Sequence, residues 1–131
     1  MRAFPYREAV GALMLATTMM QPDIAHTVCT TAKFCKNPGV AYKRTVAKIL
    51  QYVLRTADLG ITFGGQDCGV EMLAYADSGY GMCQDSGRSV SGGAVLLGGK
   101  AISWHSRTQE VTAAGTTEAE YVALAEMVSE V

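Results

Sequence analysis

Residues 73–80 read Leu73-Ala74-Tyr75-Ala76-Asp77-Ser78-Gly79-Tyr80, an apolar run that ends in a carboxylate and a small-residue turn. The run predicts a β-strand from Glu71 to Ala76 that holds Asp77 rigidly at its end. Metal-assisted hydrolysis of a phosphodiester needs closely placed carboxylates that hold two divalent cations roughly 3.5–4 Å apart. Asp77 is therefore a candidate metal ligand.

Downstream of this segment the sequence predicts two more strands and a helix. The strands run from Ser91 to Leu97 and from Lys100 to Ser106, and Gly98-Gly99 between them favours a tight antiparallel hairpin. The helix begins at about Thr116, since apolar residues recur along one side of it. This half of the chain thus predicts a three-stranded antiparallel sheet plus one helix, with these inward helix residues: Ala119, Val122, Ala123 and Met127.

A second carboxylate, Glu120, falls in the first turn of that helix and is a candidate partner for Asp77. A structural role competes with this one. Thr117 and Glu120 have the spacing of a capping box, in which the glutamate bonds back to the amide of the N-cap residue. Glu118 is the other available acid, and we expect it to point toward solvent. Spacing alone leaves both roles of Glu120 open.

The N-terminal half of the chain predicts three helices and then a change of period. From Leu59 to Phe63 apolar residues alternate, which predicts a linking strand before a turn at residues 64–67. The first helix repeats apolar residues at three to four positions, and the second begins at Pro22. The predicted helices are Tyr6 to about Met20 with Ala9, Leu13, Ala16 and Met20 inward, Pro22 to about Asn37 with Ile24, Val28, Ala32 and Cys35 on one face, and Val40 to Arg55 with Tyr42, Val46, Ile49, Leu50 and Val53 inward.

Basic and polar residues in two places are candidates for contact with nucleic acid. Arg44, Lys48 and Arg55 fall within about 40° of one another on the third helix, at 100° per residue. Such a stripe suits phosphate groups, although a solvated helix face is the ordinary alternative. Ser103 and Arg107 on the third strand suit the backbone of a nucleic-acid hybrid, and solvated strand ends explain them equally well.

Composition narrows the class of protein. The chain has 131 residues, 49% of them hydrophobic, enough for a globular core. Residues 1–66 carry eight Lys/Arg and three Asp/Glu (+5), and residues 67–131 carry three and nine (−6), which sum to the net charge of −1. The four cysteines form no CxxC pair and make a poor zinc set. No nucleophile elbow, phosphate loop or membrane-spanning stretch is present. We expect a soluble, intracellular protein with reduced thiols.

Four blocks of the second half resemble, in order and spacing, the ribonuclease H region of Ty1/copia-type retrotransposon polyproteins. Segments of the first half resemble the C-terminal end of the reverse transcriptase of that family. The blocks of the second half are Tyr75-Ala76-Asp77-Ser78, Ser89-Val90-Ser91-Gly92-Gly93, Ala101 to Gln109, and Thr117-Glu118-Ala119-Glu120-Tyr121; those of the first are Tyr6 to Gly11, Gln21 to Ala25, Asn37-Pro38 and Ala47 to Leu54.

The resemblance implies an incomplete ribonuclease H-like fold at residues 67–131, preceded by a helical reverse transcriptase remnant at residues 1–66. Asp77 and Glu120 match two metal-binding acids, which in the complete domain hold Mg²⁺ or Mn²⁺. The implied substrate is an RNA·DNA hybrid, and the implied partners are the reverse transcriptase and integrase of the polyprotein. The implied location is a cytoplasmic virus-like particle or the nucleus.

Departures from the family pattern weaken the expected activity. Gly79 and Tyr80 stand where the family has an aspartate and a tryptophan, and Gln21 stands where arginine is usual. Two further acids of the family lie beyond Val131, and Asp85 sits in a turn-rich loop where an exposed acid is ordinary. We therefore expect this chain alone to be inactive. The alternative is a non-catalytic remnant or a domesticated nucleic-acid-binding module.

Overall fold

The computed structural model describes residues 4–63, 70–83 and 85–131 of an α/β protein. The chain forms two compact units, here called the helical unit (Met1–Gly60) and the sheet unit (Ile61–Val131). The predicted boundary between residues 66 and 67, and the predicted turn at residues 64–67, lie outside the described residues. The assignment of the two halves to a reverse transcriptase remnant and a ribonuclease H-like domain stays a prediction.

Three α-helices build the helical unit, as the sequence predicts. The second helix is shorter than predicted, because a 3₁₀ turn at Pro22–Ile24 precedes it and turns follow it before Pro38. Proline is tolerated in a first helical turn because its missing N–H would have no partner there. The helices are α1 (Tyr6–Met19), α2 (Ala25–Ala32) and α3 (Val40–Arg55).

The buried side of α1 differs from the predicted one. Of the predicted inward residues only Leu13 is buried, and Met20 is exposed. Apolar residues occur on nearly every side of α1, so the spacing of apolar residues in the sequence does not show which side is buried. Two polar residues are buried because main-chain carbonyl groups satisfy them. The Tyr6 hydroxyl donates to the Thr31 carbonyl at 2.7 Å, and the Thr31 hydroxyl donates to the Val28 carbonyl at 2.9 Å. The core of the helical unit consists of Tyr6, Val10, Leu13, Ile24, Val28, Val46 and Ile49.

The predicted linking strand is wrong for its described part, residues 59–63, which belong to no strand. Alternation stabilises a strand only when one face is buried and the main chain pairs with a neighbour. Here Leu59 is 72% exposed and Phe63 is 61% exposed. The alternating apolar residues therefore have no face to bury.

A three-stranded antiparallel sheet and one helix form the sheet unit, as predicted. The strands are β1 (Met72–Gly79), β2 (Val90–Leu97) and β3 (Lys100–Thr108), in the order β1-β2-β3, and the helix is α4 (Thr116–Val128). The tight turn between β2 and β3 has positive φ angles of 55° at Gly98 and 74° at Gly99. Both values belong to the left-handed region that a two-residue hairpin of this type requires, which explains the two glycines.

Helix α4 covers one face of the sheet, here called the helix face. Gly93 of β2 marks this face, because a Cβ there would collide with the Met127 methyl group and come within 2.5 Å of His105 Cε1. Paired strand residues share a face, and alternate residues along a strand return to it. The helix face therefore carries small β1 residues near Gly93: Ala74, Ala76 and Ser78.

Candidate functional site

Asp77 lies near the end of β1, exposed to solvent, and pairs with Gly92. Because Gly92 precedes Gly93, the pleat turns the Asp77 side chain to the face opposite α4. This side of the sheet, here called the open face, also carries Leu73 and Tyr75. A Cβ built at Gly92 meets no atom within 4 Å, so the space beside Asp77 is open.

Glu120 lies on α4 directly after Ala119, which is fully buried, and Glu120 itself is exposed. The predicted capping box is wrong. The N-cap residue is Gly115, so Thr117 is already inside the helix and has no capping position. Glu118 makes the return contact instead, since its carboxylate accepts the amide N–H of Ala114. The structural competitor for Glu120 is thereby removed. Glu118 is exposed to solvent, as expected.

The two candidate metal ligands are not brought onto one face of the sheet. Asp77 projects from the open face, whereas Glu120 belongs to the helix that covers the other face. Among residues 4–63, 70–83 and 85–131, no group of three or more His, Cys, Asp or Glu side chains is arranged to hold a metal ion. The two carboxylates are oxygen donors of the kind that Mg²⁺ binds, and a shared cation would need both of them to reach one side of the sheet. The roles of Asp77 and Glu120 stay predictions.

The candidate basic stripe of the helical unit is accessible. Arg44, Lys48 and Arg55 are all exposed on α3, on the side away from the buried Val46 and Ile49. None of these three cations forms an ion pair within the described part of the chain. Their charges are thus available to a polyanion.

Ser103 and Arg107 differ in how they are engaged. Ser103 is exposed on β3. The Arg107 guanidinium contacts two acids at the end of α4, Glu130 at 2.7 Å and Glu126 at 3.5 Å. His105 Nδ1 lies 2.9 Å from the other oxygen of Glu130. A hybrid that recruits Arg107 would compete with these contacts.

The sequence reasoning missed the buried polar residue of the sheet unit, Gln109. It is fully buried, and its side-chain amide donates to the Ser91 hydroxyl at 3.0 Å and to the Ala119 carbonyl at 2.8 Å. A glutamine three residues beyond the end of a predicted strand resembles an ordinary exposed residue. Only the packing of α4 reveals its role.

The fold and these residues define an α/β protein in which a helical unit precedes a β-β-β-α unit. Over 126 residues, 96% of the chain, it is 39% identical to the retrovirus-related Pol polyprotein from transposon TNT 1-94 of Nicotiana tabacum, and the match covers 9% of that polyprotein. It is 34% identical over 126 residues, 95% of the chain, to the Pol polyprotein from transposon RE1 of Arabidopsis thaliana, of which it covers 8%.

A third relative is of similar length to this chain. The secreted RxLR effector protein 161 of Plasmopara viticola is 32% identical over 130 residues, which are 99% of this chain and 91% of the relative. The chain belongs to the family of copia-type retrotransposon polyproteins, of which it represents a fragment. No family model matches the chain. No solved structure matches it either.

Among the described residues, no helix combines the length and the apolar character that crossing a membrane requires.

Proposed function

We propose that the chain carries the end of a reverse transcriptase and the first part of a ribonuclease H domain. In the complete polyprotein this region would hydrolyse the RNA strand of RNA·DNA hybrids during reverse transcription. The observation that carries the proposal is the placement of the four sequence blocks, which fall in order on β1, β2, β3 and the start of α4. The similarity to Pol polyproteins over nearly the whole chain supports it.

This chain alone is proposed to be inactive on such hybrids. Mg²⁺ or Mn²⁺ would need several oxygen ligands held together. Asp77 and the helix that carries Glu120 lie on different faces of the sheet, and no group of three or more acids, histidines or cysteines suited to a metal forms among the described residues. A loosely held cation neither activates water nor positions the scissile phosphate, so the complete domain is required for the reaction.

Hybrid cleavage by the purified chain in the presence of Mg²⁺ tests this proposal. We expect no cleavage above that of buffer alone. Asp77→Asn is the informative variant, and Asp85→Asn is its control, because Asp85 is an exposed acid in a loop. Turnover that Asp77→Asn abolishes and Asp85→Asn preserves would overturn the proposed inactivity.

The second candidate is a non-catalytic nucleic-acid-binding module left by a decayed element. The α3 cations favour it, because they are exposed and form no ion pair with the described residues. The relative of matching length also favours it, since the chain covers 91% of that relative. Its partner would be nucleic acid in the cytoplasm or nucleus. In the first candidate, the partners would instead be the reverse transcriptase and integrase of the polyprotein.

Salt dependence of binding to a labelled RNA·DNA hybrid tests the second candidate. Each phosphate contact contributes about 0.7–0.9 to the slope of log affinity against log salt concentration. Replacing Arg44, Lys48 and Arg55 by glutamine should therefore lower that slope by roughly 2–3. Arg7→Gln on α1 is the matched control and should change it by less than one. An unchanged slope in the triple variant would rule out α3 as the binding surface.

A further inference from the structure

Helix α4 begins without a side-chain cap. Its N-cap residue is Gly115, which has no side chain, and no side-chain hydrogen bond caps the helix. The first turn of a helix normally needs such partners, because its leading N–H groups have no acceptor within the helix. Glu118 joins the start of the helix to the preceding loop through the Ala114 amide, and a second contact comes from outside the helix.

Gln109 supplies that contact. Its main-chain N–H donates to the Ser89 oxygen at 2.9 Å, which anchors the residue beside β2. Its side-chain amide nitrogen then uses both hydrogens, one for the Ser91 hydroxyl and one for the Ala119 carbonyl. One buried residue thus joins the end of β3, the start of β2 and the first turns of α4.

The orientation of the Gln109 amide follows from these partners. The Ala119 carbonyl can only accept, so the group facing it must be the NH₂ and not the oxygen. The Gln109 oxygen is left buried with no hydrogen-bond partner among the described residues, and so is the Ser78 hydroxyl. Buried polar atoms are normally paired, so this glutamine is retained at a cost that an apolar residue would avoid.

We infer that Gln109 is a positioning residue, which fixes the peptide between Ala119 and Glu120 and so sets where Glu120 stands. The carbonyl that Gln109 holds belongs to the peptide unit whose nitrogen is that of Glu120. Fixing this peptide plane fixes the rotation of the first turn about the helix axis. Any consequence of this role for metal binding by Glu120 rests on the function proposed above. The positioning of the Ala119–Glu120 peptide by Gln109 does not depend on that function.

The experiment compares residual dipolar couplings of backbone amides in the ¹⁵N-labelled full chain and in Gln109→Met. Methionine keeps the length of the side chain and removes the amide. We expect the couplings of residues 118–121 to change while those of β2 and β3 keep their wild-type values. Gln51→Met, at an exposed site on α3, is the control and should change neither set. A loss of stability alone does not reorient the folded state, so unchanged couplings at residues 118–121 would overturn the inference.

A measurement on the wild-type chain covers the case in which Gln109→Met does not fold. In an α-helix the Ala119 carbonyl also accepts the Ala123 N–H, so the Gln109 side-chain amide protons should show a nuclear Overhauser effect to that amide. Absence of this effect would also overturn the inference.

The proposed function is read separately, by Mn²⁺ broadening of the Glu120 amide signal in the wild-type chain. Because this chain alone is proposed to hold a cation only loosely, we expect no selective broadening of that signal. Selective broadening would count against the proposed inactivity and would leave the role of Gln109 to the dipolar couplings.

Discussion

Gly93→Ala should destabilise the sheet unit, whereas Gly92→Ala, one residue earlier on β2, should not. A Cβ at Gly93 would collide with the Met127 methyl group and lie 2.5 Å from His105 Cε1. A Cβ at Gly92 would meet nothing within 4 Å. Neither glycine has a positive φ angle, so the backbone accepts alanine at both sites.

The magnitude follows from two opposing effects. Glycine in a strand costs about 0.5–1 kcal/mol relative to alanine, and both variants recover that amount. Only Gly93→Ala adds an overpacking cost, typically about 1–3 kcal/mol. The Met127 side chain is flexible and can yield in part, but the His105 ring is held by its contact with Glu130. The two variants should therefore differ by about 1–3 kcal/mol in the free energy of unfolding.

Urea denaturation followed by tryptophan fluorescence measures this difference. Trp104 is the single tryptophan of the chain and lies on β3, so its emission reports on the sheet unit. Combining Gly93→Ala with Met127→Val should recover part of the loss, because residues in contact couple energetically. If Gly93→Ala were as stable as Gly92→Ala, α4 would not cover this face, and the placement of Asp77 on the open face would be refuted.

Three further predictions concern packing and charge. Leu13→Ala should cost about 2–5 kcal/mol in urea unfolding followed by circular dichroism, and Leu15→Ala on the same helix less than about 0.5, because Leu13 is 2% exposed and Leu15 66%. Burial raises the pKa of the Tyr6 hydroxyl above its ordinary value of 10.0. The contribution of the neutral hydroxyl to folding stability is therefore fully present below pH 10 and is lost as pH rises through the folded pKa. In urea unfolding at several alkaline pH values, Tyr6→Phe should flatten this fall in stability. Glu130→Gln should lower the free energy of unfolding by up to about 1 kcal/mol at low salt and by less at high salt, because its ion pair with Arg107 is partly exposed. Equal losses at low and high salt would refute an ionic contribution.

Local signals in the sequence were sufficient to predict most of the helices and strands. The bounds of α3 follow from a clear apolar stripe between Gly39 and Thr56, and the β2–β3 hairpin follows from two glycines that only a tight turn requires. These features depend on neighbouring residues alone, so one sequence contains what is needed to predict them.

Features that depend on distant contacts could not be predicted in the same way. The inward side of α1 is chosen by α2 and α3, which accept the Tyr6 hydroxyl and not the Met20 side chain. The residues that make the return contact at the start of α4 depend on the loop before the helix: Glu118 accepts the Ala114 amide, whereas spacing alone favoured Thr117 and Glu120. In both cases the sequence offered several equivalent choices, and tertiary packing selected one.

The placement of Asp77 follows from the same kind of selection. The side of the sheet marked by Gly93 faces α4, and on β1 that side carries Ala74, Ala76 and Ser78 at alternate positions. The other set, Leu73, Tyr75 and Asp77, must then occupy the open face, since a shift of one residue exchanges every side chain between faces. Any acid that shares a cation with Asp77 has to reach the open face. Among the described residues β1 pairs only with β2, so Glu120 could approach Asp77 only around the free edge of β1.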